Sequence, residues 1–448
     1  MTNPLLSWIE TSYRDAVQSF SDGHHSLAAK LAHQVLAALP IHDGAMHLLG
    51  LCALQDGKNE EAATWLLESL KSSPSDPQRR LALAMALKAG GDIAGAILNL
   101  RLAAEQDPAN AQIRLNLANL LQDTGDFDNG LDCYRQAALL APDNAQLRYN
   151  LGLTLLTLGQ FEEGWREAEW RWKAAGIDLD RVDFKAPAWT GEERPGQTIL
   201  LWAEQGLGDV LMFCRYVPLL AQKGMRVLLQ TPRQLHPLLR SLEGLDGLFA
   251  EGDPLPAYDV QLPLLAVPGR MKTGLATIPG HVPYLKPPLD RQAFWQERLS
   301  DVKGLKIGLS WRGNPAHAND ANRSLTPSLL TPLLDMEGIS WIGLQPDPGP
   351  HTPPIFNAGP DLQDWGDSAG LAANLDLTIS VDSSVAHLAG ALGLPCWLML
   401  PFLPDWRWML HRPDSPWYPN MRLWRQDGPG AWDGLIRRLS SALRSFPR

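Results

Sequence analysis

The spacing of apolar positions changes character once along the chain. Over residues 1–178 apolar positions recur at helical spacing inside a repeating unit: prolines at 40, 74, 108 and 142 and glycines at 23, 57, 91, 125 and 159 stand 34 residues apart. A period of that length marks stacked helical hairpins. Within each unit a small residue holds the eighth position (Ala16, Gly50, Ala84, Ala118, Gly152) and another the twentieth (Ala28, Ala62, Ala96, Gly130, Gly164). Side chains of that size let two antiparallel helices approach closely, while the glycine opens the turn and the proline starts the next unit. The pattern predicts five units, at 9–42, 43–76, 77–110, 111–144 and 145–178. In the fifth, Arg171 and Trp172 replace small residues and no proline closes the unit. Its second helix is therefore expected to dock on the following domain through Trp165, Trp170 and Trp172.

Residues 179–197 are polar, aperiodic and punctuated by proline and glycine, and read as a linker. Beyond them short β-rich apolar runs alternate with helical stretches. Strands are predicted at 198–203, 226–230, 247–250 and 258–262, with helices at 209–222 and 291–300 around a proline-rich crossing near 279–290. A second series has strands at 305–311, 340–345, 376–382, 395–400 and 421–426 and a closing helix near 431–444. Strand, helix and strand in succession imply parallel sheets. The expected architecture is an all-α repeat solenoid over 1–178 followed by two Rossmann-like domains, 198–300 and 301–448. The two face each other across a cleft in the GT-B manner.

Four segments carry candidate chemistry. In TISVDSSVAHLAGALGLPCWL (378–398) a strand stops at Asp382 and a helix begins, with Asp382, Ser383 or Ser384 available as cap. The first N–H groups and the positive dipole end of that helix offer a phosphate site. AEQGLGDVL (203–211) sets Gly206 and Gly208 between a strand end and a helix start. The third glycine of a dinucleotide fingerprint is replaced by Leu211 and no acidic residue ends the next strand, which disfavours a nicotinamide or flavin enzyme. Asp209 at the tip of this turn reads either as a general base or as a first-turn helix residue. GLSWRGNPAHANDANRSL (308–325) offers Arg312 and Arg323 to a diphosphate and Asn314, His317 and Asn319 as polar contacts, each alternatively a solvated loop residue. In the Trp-rich 401–426 segment, Trp406, Trp408 and Trp417 can stack on a base or sugar or pack the loop onto its domain.

Composition narrows the function class. A chain of 448 residues implies two to four domains. A formal charge of −10, with pI near 5.6, argues against a nucleic-acid or anionic-membrane binder, which needs a basic face. Cys52, Cys133, Cys214 and Cys396 lie far apart, as reduced thiols of a cytoplasmic protein do. The N-terminal stretch lacks signal-peptide character, and the longest uncharged run, His387 to Pro404, holds two glycines and three prolines, so no transmembrane segment is expected. DxD pairs occur at Asp126/Asp128 and Asp178/Asp180, in a repeat turn and in the linker. Neither follows a strand of the α/β part, so no metal site is expected and the diphosphate would be neutralised by helix N-termini and arginine.

The hairpin units resemble tetratricopeptide repeats. DSSVAHLAGALGLP (382–395) resembles the donor-phosphate motif of heptosyltransferase-like glycosyltransferases (glycosyltransferase family 9 and relatives), and GLGD (206–209) resembles their N-terminal turn. With WRGNP…NDANRS and DWRWML…SPWYP, the whole of 160–448 is similar to bacterial proteins that fuse such repeats to such a domain. The layout is also similar to O-GlcNAc transferase. This likeness implies an inverting, metal-independent transfer from a nucleotide-sugar to an acceptor hydroxyl, with no cofactor. It implies donor contacts from Gly206, Gly208, Asn314, Arg323 and Asp382 and from the backbone of Ser383, Ser384, Val385, Ala386 and His387, with Asp209 as base. Asn116 and Asn150, at the sixth position of their units, would grip a protein or peptide acceptor in the repeat groove; asparagine is also simply common at that position. The chain departs from many relatives at Ser384, where they carry glycine, and lacks a clear match to the phosphate-binding lysine of true heptosyltransferases. The alternative is a repeat scaffold whose α/β part binds nucleotide or a partner without catalysis.

Overall fold

The computed structural model describes residues 4–174, 184–317, 319–346 and 355–447. Asp178, Asp180, the end of the fifth unit and the first residues of the linker lie outside them. The chain divides into two compact units, Met1–Leu151 and Gly152–Arg448.

The first unit is a run of helical hairpins: Pro4–Ser21 with His25–Ala38, Asp43–Gln55 with Asn59–Ser72, Pro77–Ala89 with Ile93–Gln106, and Ala111–Asp123 with Phe127–Leu140. The registered small residues lie at the helix contacts. Ala16, Ala28, Ala62, Ala84, Ala96 and Ala118 are fully buried, and a Cβ built on Gly50 would stand 2.5 Å from Leu66 Cγ. The turn glycines Gly23, Gly57, Gly91 and Gly125 all have positive φ, between 72° and 87°, where a side chain is strained. Caps come from the turn residues: Asp76 accepts from Gln78 N and Arg79 N ahead of Pro77, and Asn110 accepts from Gln112 N and Ile113 N. Asp126 does the same for Phe127–Leu140, which gives the first DxD pair a structural use.

The second unit begins inside the fifth hairpin. A Cβ on Gly152 would meet Ala168 N at 2.5 Å, so Ala145–Thr157 and Phe161–Ala168 are in backbone contact. Phe161–Ala168 packs on the α/β region as its tryptophans predict: Trp165 is 7% exposed and donates its indole N–H to Thr273 O at 2.8 Å. Two parallel sheets follow. The first contains β1 (Thr198–Trp202), β2 (Arg226–Gln230), β3 (Leu245–Phe249) and β4 (Val260–Pro263) in the order β3-β2-β1-β4. The second contains β5 (Leu305–Ser310), β6 (Ile339–Gly343), β7 (Phe356–Asn357), β8 (Leu377–Val381), β9 (Cys396–Leu400) and β10 (Met421–Arg425) in the order β10-β9-β8-β5-β6-β7. Every pairing is parallel, which is consistent with two Rossmann-like domains. β1 and β8 are buried along their whole length, as central strands covered on both faces must be.

Three local readings differ from the sequence expectation. The helix expected over 209–222 is broken into Leu207–Phe213, a short turn at Cys214–Tyr216 and Val217–Gln222, with Pro218 near the start of the last piece. Helix Trp365–Ala372, rich in glycine and alanine, has no counterpart in the sequence reading. The C-terminal part of the linker joins the sheet, since Ala188 bridges Gln261 and Trp189 is 1% exposed. Among the described residues no helix is long and apolar enough to cross a membrane.

Candidate functional site

The GLGD turn and the start of the helix Ser384–Ala391 meet directly. A Cβ built on Gly208 would lie 2.9 Å from His387 Cδ2 and 3.6 Å from Ser384 Cα, so only glycine lets the turn sit there. Gly206 is different: its nearest neighbour would be Asp209 Oδ2 at 3.5 Å, an ordinary contact. His387 is locked on its other side. Its Nδ1 pairs with Tyr418 Oη at 2.9 Å and its ring stacks on Trp408 at 5.2 Å. Burial and the positive charges of Arg407, Arg215 and Arg323 hold the imidazole well below the usual range, so it is neutral.

Both sides of this contact are clamped by Arg215, a residue the sequence did not single out. It donates Nε to Met212 O at 2.8 Å, Nη1 to Trp417 O at 2.7 Å and Nη2 to Tyr284 Oη at 2.9 Å, and its guanidinium lies 4.6 Å from the Tyr418 ring centre. Tyr284 Oη in turn donates to Leu211 O at 2.8 Å. With these partners and no ion pair among the described residues, Arg215 ties the end of Leu207–Phe213 to the Trp417–Tyr418 loop. Trp406, Trp408 and Trp417 are 7%, 0% and 0% exposed, and so pack the loop rather than offering a stacking face.

The helix Ser384–Ala391 is capped otherwise than expected. Ser383 is the N-cap residue, but its side chain makes no capping bond; its Oγ pairs with Ser380 Oγ at 3.1 Å. Ala386 N and His387 N return to Ser383 O, while the amides of Ser384 and Val385 have no partner among the described residues. The positive helix end is therefore left for an anion. Asp382, just before it, has its carboxyl pushed up to about 6 by burial and by the neighbouring Asp405 charge. The Trp408 indole N–H acts on it in the opposite sense, although that N–H makes no hydrogen bond of ordinary geometry.

Asp209 stands in the first turn of its helix, its side chain 17% exposed. Burial raises its carboxyl above the usual range, opposed by Arg407 and reinforced by Asp405. Arg407 donates one Nη to Asp209 Oδ1 and the other to Asp405 Oδ1 at 2.8 Å, with its guanidinium 4.4 Å from the Trp406 ring centre. Arg407 and Asp405, like Arg215, escaped the sequence reading; the signal was a charged pair embedded in the apolar DWRW run. Arg323 comes to the same place from the 308–325 segment, donating Nη1 to Asp382 O at 2.9 Å and Nε to Asp320 Oδ1 at 3.2 Å. His317 is exposed, and partial desolvation and the Arg323 charge lower its imidazole, with Asp405 and Asp209 acting the other way.

Asn314 is not brought in. It is exposed and closes its own turn by accepting from Ala316 N at 3.0 Å. In the first unit, Asn116 accepts from Gln112 at 3.2 Å and Asn150 donates to Asn119 Oδ1 at 3.3 Å, so both belong to side-chain networks within the repeats. Among the described residues no group of three or more His, Cys, Asp or Glu side chains is arranged to hold a metal. A separate cavity of about 720 Å³ opens beside β1 and β4, lined among others by Trp170, Trp172, Trp202, Gln261 and Arg270, and includes none of the clustered residues.

Comparison with known proteins adds the following. The tetratricopeptide-repeat family profile matches residues 20–77 and 115–169. Protein FlbA of Caulobacter vibrioides is 29% identical over 318 residues, spanning 63% of this chain and 52% of that protein, so the chain covers about half of that relative's length. Among solved structures, MamA is similar at 17% identity over 35% of this chain and 91% of that one, with a TM-score of 0.33. A thermophilic TPR protein of Thermus thermophilus is similar at 20% identity over 38% and 93%, with a TM-score of 0.32. The chain thus carries tetratricopeptide repeats at its N-terminal end, followed by an α/β region built on two parallel sheets.

Proposed function

We propose that the α/β region is an inverting, metal-independent glycosyltransferase of GT-B arrangement that acts in the cytoplasm. The repeats would recruit a protein acceptor. Asp209 takes the proton of an acceptor hydroxyl as its oxygen bonds to the anomeric carbon of a nucleotide-sugar. The bond from that carbon to the phosphate oxygen breaks, and its electron pair leaves on the nucleotide. The growing negative charge is met by the amides of Ser384 and Val385 and by Arg323. The single observation that carries this reading is the direct contact of Gly208 with Ser384 and His387, which sets a carboxylate beside an uncapped helix start. Metal independence follows from the sequence, where no DxD pair comes after a strand of the α/β region.

The test is nucleotide release from a panel of UDP-, GDP-, ADP- and CMP-sugars, with Asp209→Asn as the diagnostic variant. Asp209→Asn is expected to lower turnover by about 10²–10⁴-fold, the usual contribution of a positioned base. Unchanged turnover in that variant removes the base assignment. A second reading, a non-catalytic scaffold that binds nucleotide or a partner, is favoured by one feature: the Asp209 carboxylate is already paired with Arg407. Nucleotide binding without release from any sugar would support it.

A further inference from the structure

Arg407 sits where the two sides of the site meet. Its Nη groups serve Asp209 and Asp405, it lies against Trp406, and it is 8% exposed. Its Nε–H nevertheless has no hydrogen-bond partner among the described residues. A buried guanidinium N–H without an acceptor is a cost that a ligand oxygen removes. The flanking groups say which ligand. Trp408, the next residue, stacks on His387, and Gly208, next to Asp209, touches His387 and Ser384, so the chain neighbours of the Arg407–Asp209 pair both touch the helix that starts at Ser384. Arg323, by contrast, already spends Nε and Nη1 on Asp320 and Asp382.

Resting on the glycosyltransferase reading, we propose that Arg407 is both a ligand of the donor diphosphate and a latch on the base. Without donor its fork holds Asp209. When a diphosphate settles on the start of Ser384–Ala391, the guanidinium slides over Trp406 toward the phosphate oxygens, with Asp405 as its fixed partner, and the Asp209 carboxylate loses its counter-ion. The base is then unmasked only when a diphosphate occupies the helix start. Arg407 thus couples the two halves of the reaction: planar guanidinium forks suit carboxylate and phosphate alike, so one side chain can exchange the first for the second.

The latch changes what removal of the Asp209 carboxylate does to donor binding. If Asp209 competes with phosphate for Arg407, Asp209→Asn tightens nucleoside diphosphate binding rather than leaving it unchanged. Calorimetric titration of the full chain with UDP, GDP and ADP is expected to show a gain of about tenfold or more in Asp209→Asn for whichever diphosphate binds. In an Arg407→Gln background the same change should gain only about twofold, from relief of through-space repulsion alone. Arg407→Lys keeps the charge but loses the fork, and should give a gain between these two; it replaces Arg407→Gln if that variant fails to unfold cooperatively. An equal gain in all backgrounds, or none in the native one, overturns the latch while leaving the transferase reading in place. Failure of every variant to bind any nucleoside diphosphate overturns the latch, and together with no release from the sugar-nucleotide panel, CMP-sugars included, it overturns that reading too.

Discussion

Gly208→Ala isolates the contact on which the site depends. The added Cβ would stand 2.9 Å from His387 Cδ2, closer than carbon atoms approach in folded proteins. The imidazole cannot give way, because it is 5% exposed, hydrogen-bonded to Tyr418 and stacked on Trp408. Tyr418 is backed by Arg215. The strain must therefore be relieved by moving the turn away from the helix Ser384–Ala391. Overpacking of this kind costs about 1–3 kcal/mol, and for a unit of this size that lowers Tm by roughly 2–10 °C. Gly206→Ala is the internal control: its Cβ meets only Asp209 Oδ2 at 3.5 Å, and the backbone there, φ −66° and ψ 164°, is open to any residue. Thermal unfolding of both variants, followed by nucleoside diphosphate titration, reads the effect twice. Gly208→Ala should lose stability and affinity together, while Gly206→Ala changes stability by no more than about 0.5 kcal/mol. Equal stability of the two variants with unchanged affinity would refute the reasoning, because the contact would then be tolerant of an atom where none should fit.

Two further outcomes follow from buried charge. Asp382, with its carboxyl pushed from 3.8 up to about 6, holds its proton more tightly in the folded chain than in the unfolded one. Its ionisation therefore costs stability progressively as pH rises between those values and by a constant amount above them. Asp382→Asn should stabilise at pH 8 by on the order of 2 kcal/mol after screening and be near neutral at pH 4, as read from urea midpoints; a gain independent of pH would remove the charge as its cause. The Arg171–Glu204 pair, with side chains 3% and 1% exposed and joined at 2.8 Å, is desolvated on both sides. Arg171→Met should cost about 3–5 kcal/mol by leaving a carboxylate stranded, and adding Glu204→Leu should recover most of it; a single-variant cost below about 1 kcal/mol would show that water reaches the pair.

The strands were legible to within a residue or two wherever an apolar run ended at glycine, proline or a charge, as at β2 and β8. The glycine-rich 365–372 stretch hid a helix because it looks like a breaker, and packing overrode that local preference. Within the candidate site, Asp209, Arg323 and the turn after Asp382 were visible because each sits at a strand-to-helix junction. Arg407 and Arg215 were not, since their partners lie 198 and 202 residues away in the chain and no local spacing records such a pairing.

The sequence by itself determined the repeat: a 34-residue register of small side chains dictates which helix faces can touch, because steric fit between neighbouring helices is a local matter. It also determined that two runs of parallel strands would follow. Only the tertiary structure decided that Gly208 is a packing contact against His387, that Ser383 leaves its helix uncapped, and that Asp209 rests in the grip of Arg407. Those facts depend on which distant segments share one buried volume, where a single missing methyl group or one unpaired N–H outweighs any propensity written along the chain.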